Sequence, residues 1–170
     1  IVLNAGYDRH ALGAVIGQSL PNWGPVAESG GRTVAMTNLY TDPDSEEASI
    51  ELTRSVMCKA TADRVDPAPR FMTMSTVLHE AAHNLGPAHD KTDGQVFGGP
   101  LASTLEELKA QTAALYFSDW LAARGVLSKE DAQNSHLRDV LWAFGHIAAG
   151  MVDAQGRPKP YSQLAAIQMG

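Results

Sequence analysis

Two histidines four residues apart, His79 and His83, flank Glu80 in the run HEAAH. On a helix, side chains with this spacing project from one face about 40° apart around the axis, so both imidazoles can reach one point. Neutral imidazole is a good zinc ligand, and a carboxylate beside the first histidine lies close to whatever the pair holds. The chemistry such a set supplies is hydrolysis. The histidines hold Zn2+, and the glutamate takes a proton from the attacking water and passes it to a leaving amine. A helical histidine pair by itself is often structural. Here the intervening glutamate and the apolar lead-in (Phe71, Met72, Met74, Val77 and Leu78) weigh against that, because a buried His-Glu pair is costly without partners. His79 and His83 are therefore candidate metal ligands, and Glu80 is the candidate general base.

Two residues compete for the third ligand position. The longer run HEAAHNLGPAH satisfies H-E-x-x-H-x-x-G-x-x-H, the metzincin endopeptidase pattern, in which a glycine turns the chain and a third histidine, here His89, reaches the metal. That class also places a methionine turn beneath the site, for which Met151 after Gly150 is the passable candidate. The rival is Glu107 in STLEELKAQTAALY. Its neighbour Glu106 stands at capping-box spacing from Ser103, which gives Glu106 an ordinary helix-capping role. Glu107 has no such role. Its helical face continues through Ala110, Ala114 and Ser118, small residues that allow a close approach to the histidine helix. The residues themselves leave His89 and Glu107 both open.

The elements that must position these groups are mostly helical. Residues 1–31 are rich in Gly, Pro and Asn and fit short strands or loops, and Arg32 to Tyr40 reads as a strand. Asp44 or Ser45 is placed to cap a helix running to about Val65, with Ile50, Leu52, Val56 and Met57 towards the core and Cys58 buried within it. Asp66-Pro67 breaks that helix. The histidine helix is expected over about 70–85, stopped by Gly86-Pro87, with a glycine-rich loop over 86–100. Helices are then expected over 103–124 and 128–149, with a final helical segment after the GRPKP connector. The fold class is mainly α, with minor β near the N-terminus. His10, His136 and His146 have no partners at ligand spacing and read as surface or packed histidines. Trp120, Trp142 and Phe144 read as core.

At 170 residues and 44% hydrophobic, the chain can bury one domain's core. The net charge is −6, without a basic patch, so neither nucleic acid nor anionic membrane is an expected partner. No apolar run approaches the roughly 20 residues of a membrane span. The single cysteine, Cys58, precludes an internal disulfide framework and, with no visible signal peptide, favours the cytoplasm over export. The chain starts at Ile1 and stops in a helical pattern, YSQLAAIQMG. Residues 1–170 are accordingly expected to form a single catalytic zinc-binding domain, a fragment or lobe of something longer. Oligomeric state is not legible.

Three blocks, in order, resemble the dipeptidyl peptidase III family of zinc peptidases. QSLPNWGPVAESGGRTVAMTNLY is similar to its substrate-edge block, HEAAHNLGP to its metal helix, and LEELKAQTAALY to its E-E-x-R/K-A-E/D-x-x-A/G-L-Y block. Together they span about residues 18–120, and metzincins have no counterpart of the last. The resemblance implies a helical zinc-bearing lobe of the gluzincin type that removes dipeptides from the N-termini of short peptides. It makes His79, His83 and Glu107 the zinc ligands, Glu80 the base and Glu106 a residue beside the site. Asn22 falls on an asparagine that holds substrate backbone, and Ser19 stands where the family usually has another. Under this reading His89 has a milder role near the site. The chain departs from the family in having H-E-x-x-H where many members have H-E-x-x-x-H. It also lacks a clear match to the family's transition-state tyrosine, and Tyr161 occupies the region expected to hold a later catalytic histidine.

Overall fold

The computed structural model describes residues 17–20, 25–30, 32–86 and 93–170. A strand, β1 (Gly17–Leu20), pairs antiparallel with β2 (Arg32–Ala35), with Gly17 opposite Ala35 and Leu20 opposite Arg32. Between them lies a short helix, α1 (Pro25–Gly30), where composition alone favoured loop or strand. The expected strand over 32–40 ends at Ala35 and gives way to α2 (Asn38–Thr41).

The next helix, α3 (Pro43–Val56), begins earlier than its acidic cluster suggested. Asp42 is the N-cap, accepting from Ser45 N at 3.1 Å, and Pro43 occupies the first turn, where a missing N–H costs nothing. The helix also stops earlier than Val65. Met57 and Cys58 are extended, and α4 (Lys59–Ala62) restarts beyond them. Thr53 is the buried residue of α3, whereas Val56 is exposed, and Cys58 is exposed as the N-cap residue of α4 rather than buried in mid-helix.

The histidine helix is α5 (Pro69–Ala82), with Pro69 in its first turn. His83 is its C-cap but keeps helical backbone angles (φ −60°, ψ −27°), so the four-residue geometry from His79 is preserved. Gly86 follows at φ 115°, a conformation that favours glycine and turns the chain away. Among the described residues of the glycine-rich loop lies a helical turn, α6 (Asp93–Val96). Three longer helices complete the fold: α7 (Ala102–Ala123), α8 (Lys129–Ala148) and α9 (Pro160–Met169). Ser128 and Asp131 form a capping box at the start of α8.

The most extensive packing joins α5 to α7, and α8 lies against both. Small residues make this possible: Ala82, Ala110, Ala114, Ser118 and Ser135 are all essentially inaccessible, and Phe71 supplies the bulk. The face of α7 that carries Glu107 is thus buried against its neighbours at Ala110, Ala114 and Ser118. The two-stranded ribbon also packs on α5. The fold is mainly helical, as expected. Among the described residues, no helix is long and apolar enough to cross a membrane.

Candidate metal centre

Close packing of α5 on α7 brings a carboxylate to the histidine pair. Glu107 Oε2 lies 3.2 Å from His79 Nε2 and 3.9 Å from His83 Nε2. One ligand atom from each of the three residues falls within 4.8 Å of the other two. Donors held about 2.0–2.2 Å from a tetrahedral zinc stand roughly 3.4 Å apart, so this spacing suits one ion among them.

The far side of each ring decides what the near side can do. His79 Nδ1 lies 2.9 Å from Gln111 Oε1, and His83 Nδ1 lies 3.0 Å from Glu106 Oε1. Both partners are acceptors, so each Nδ1 carries the hydrogen and donates it. In the neutral rings each Nε2 then presents a lone pair towards Glu107. Three acceptors therefore converge, and Glu107 Oε2 is buried without a hydrogen-bond partner. A cation resolves such a cluster. In the metal-free protein a proton on His79 serves in part. Burial disfavours its charged form, but Glu107, Gln111 and Glu80 outweigh that and raise its pKa above the ordinary histidine value. Burial likewise opposes ionisation of Glu107, yet His79, His83 and Tyr161 hold its pKa below the usual carboxylate range. The residues present fit a zinc ion.

The supports behind the rings are side-chain oxygens of α7, an amide for His79 and a carboxylate for His83. Glu106 is not a helix cap, because α7 starts one residue early with Leu101 as N-cap. Its carboxylate instead joins His83 and Lys109, whose Nζ is 2.6 Å away and also donates to Leu85 O at 2.7 Å. Burial pushes against ionised Glu106, and these two partners more than offset it, lowering its pKa. Gln111 lies on the same face of α7 as Glu107, one turn on. Its Nε2 is 3.5 Å from Asp139 Oδ1 on α8, and Ser75 Oγ donates to that same oxygen.

Glu80 is buried beside the ligands. Strand β1 passes so close that a Cβ on Gly17 would lie 2.7 Å from Glu80 Oε1 and 2.6 Å from Thr76 Cγ2, which explains why glycine stands there. Tyr40 donates to or accepts from Thr76 Oγ1 at 2.7 Å, and its phenol pKa is raised by burial and by the charge of Glu80. Tyr161, at the start of α9, places its phenol against Glu107. Burial and then the charges of Glu107 and Glu80 push its pKa up. Its ring meets His146, 5.7 Å between centroids, and His146 in turn meets Trp142 at 4.3 Å. His136 pairs with Asp119, away from the ligands.

His79, Glu80, His83, Glu106 and Glu107 are thus brought together. Asn22 and His89 lie outside the described residues, as does His10. Gln111 and Asp139 belong to the site and were missed in sequence, and Tyr161, noted only as standing where a later catalytic histidine is expected, reaches Glu107. The first could have been found from its position four residues after Glu107, on the same helical face. Asp139 and Tyr161 arrive from other helices and leave no local signal.

No family model and no curated protein sequence matches this chain. Among solved structures, the chain is similar to DPP III from Caldithrix abyssi, with a TM-score of 0.71 and 19% sequence identity. The likeness covers 92% of this chain and 29% of that one, so the chain spans less than a third of the solved protein. The fold is DPP III-like.

Proposed function

We propose that the protein is a zinc metallopeptidase domain, most like dipeptidyl peptidase III, acting on the N-terminal end of short peptides. The observation that carries this reading is the convergence of His79 Nε2, His83 Nε2 and Glu107 Oε2 beside a buried Glu80. The DPP III-like fold and the three sequence blocks support it.

His79, His83 and Glu107 would hold the ion. Zinc, when bound, acidifies water and polarises a carbonyl oxygen. Glu80 accepts the proton of the water that attacks the scissile carbonyl carbon, then returns it to the leaving amine nitrogen. Gln111 and Glu106 keep the two Nδ1–H groups engaged, so both Nε2 lone pairs stay available. Strand β1 lies against Glu80 and supplies backbone along which an extended peptide can align; the resemblance gives Asn22 the role of holding substrate backbone. Residues 1–170 are the zinc-bearing lobe of this machinery.

The test combines zinc content with hydrolysis of dipeptidyl-naphthylamides. Glu80→Gln is expected to keep zinc and lose about 10²- to 10⁴-fold in rate. Glu107→Ala should lose zinc, and His89→Ala should retain it. Zinc loss in His89→Ala with retention in Glu107→Ala would instead establish the metzincin arrangement. A wild-type protein that binds zinc and cuts no peptide would be a zinc-containing binding module.

A further inference from the structure

Behind His79 the polar chain does not end at Gln111. The Gln111 amide is buried, with its oxygen 2.9 Å from His79 Nδ1 and its nitrogen 3.5 Å from Asp139 Oδ1. An amide placed this way can be turned over at no steric cost, since its oxygen and nitrogen are nearly the same size. Turned over, it would present N–H to His79 Nδ1. That nitrogen would then have to be the acceptor, the hydrogen would move to Nε2, and the lone pair needed by a metal would be gone. Something must hold the amide in one sense.

Asp139 is placed to do so. Its Oδ1 accepts from Ser75 Oγ as well as facing Gln111 Nε2, while its Oδ2 is buried and has no hydrogen-bond partner. A proton taken up by this carboxyl would sit on the unengaged Oδ2, so Oδ1 remains an acceptor in either charge state. An acceptor at that point rejects the turned amide, which would set oxygen against oxygen. The hydrogen bonds of Asp139 go to Ser75 and Gln111, and the charge of His79 reaches it only through space. A purely structural acid, tying α8 to α5 through Ser75, would need no third partner on the line to the ring.

Resting on the zinc-site reading above, we infer that Asp139 is a positioning residue. By fixing the sense of the Gln111 amide, it holds His79 as the Nδ1–H tautomer with Nε2 directed at the metal position. The line of hydrogen bonds has one polarity throughout: Ser75 O–H and Gln111 N–H both point to Asp139, and His79 Nδ1–H points to Gln111.

The experiment compares Asp139→Leu, which removes the acceptor but keeps the branching at Cγ, with Asp139→Asn, which can still present an oxygen at the Oδ1 position. Two quantities are read on the folded protein: the tautomer of the neutral His79 ring in the metal-free state, from imidazole ¹⁵N shifts at a pH above its raised pKa, and zinc affinity by chelator competition. Wild type and Asp139→Asn are expected to show the Nδ1–H tautomer and zinc affinities within about threefold of each other. Asp139→Leu is expected to show mixed tautomers and to bind zinc about tenfold or more weakly, the size typical of losing a partner behind a metal ligand. Unchanged tautomer and unchanged affinity in folded Asp139→Leu would overturn the inference. Should that variant fail to fold, Gln111→Leu breaks the same line one link nearer the ring. An Nδ1–H tautomer that persists there overturns it equally. A wild-type protein that takes up no zinc would sink the metal reading, while the tautomer measurement would still decide the role of Asp139.

Discussion

The two imidazoles of the site are supported by different chemistry. Behind His79 stands a neutral amide, itself held in the interior by Asp139 and Ser75. Behind His83 stands a carboxylate, Glu106, shared with Lys109 near the end of α5. The first line is closed in by three helices, whereas Lys109 remains a quarter exposed at its side chain. The difference teaches that one requirement, an acceptor facing Nδ1, can be met by shape in one place and by charge in another. Shape is insensitive to salt but fails altogether when one link is lost. Charge is stronger per contact and is screened where water reaches it.

The comparison breaks first at Gln111. Gln111→Leu leaves His79 Nδ1 buried without an acceptor and is expected to weaken zinc binding by about 10- to 100-fold. Glu106→Gln keeps an acceptor oxygen for His83 and loses only the charge, so its loss should stay near or below about tenfold. Chelator competition at matched salt measures both. Equal losses would mean that the two supports are equivalent after all. Lys109→Met sharpens the contrast further. Its effect should be only a few-fold at low salt and fade near 1 M, where the Debye length is about 3 Å. The effect of Gln111→Leu should not fade.

The smallest expected effect concerns stability. Burial raises the pKa of Asp139 in the folded protein. A folded pKa above the unfolded value, about 3.9, means stability is fully present below that value and is lost as pH rises through the folded pKa. Asp139→Asn removes this dependence. Its melting temperature in the metal-free state is therefore expected to exceed that of wild type at neutral pH, with the gain disappearing below about pH 4. A gain that persists at low pH would show that packing, rather than charge burial, is responsible.

How much of this was legible follows from how local each signal is. The histidine pair and its helix can be read directly, because four-residue spacing and a proline at the first turn are short-range facts. Glu107 could be singled out because Ala110, Ala114 and Ser118 extend its face with small residues, and that face is the one buried. Capping was less reliable. Ser103 with Glu106 and Ser128 with Asp131 have the same spacing, yet only the second pair forms a capping box. Helix α7 begins one residue before Ser103, and Glu106 is drawn instead to His83 and Lys109. The break at Met57 and Cys58 was also invisible, since neither residue is a helix breaker and no glycine or proline marks the spot. Short helix α1 was concealed by a glycine- and proline-rich composition. Asp139 and Tyr161 reach the site only through the packing of α8 and α9, so no local pattern announces them.

The central claim is that the third ligand comes from α7 and not from the segment after the histidine helix. Anomalous diffraction at the zinc edge from zinc-loaded crystals tests it most directly. The account predicts a single site bonded to Nε2 of His79, Nε2 of His83 and Oε2 of Glu107. Zinc bonded to the imidazole of His89, with the Glu107 carboxylate outside its coordination shell, would contradict it.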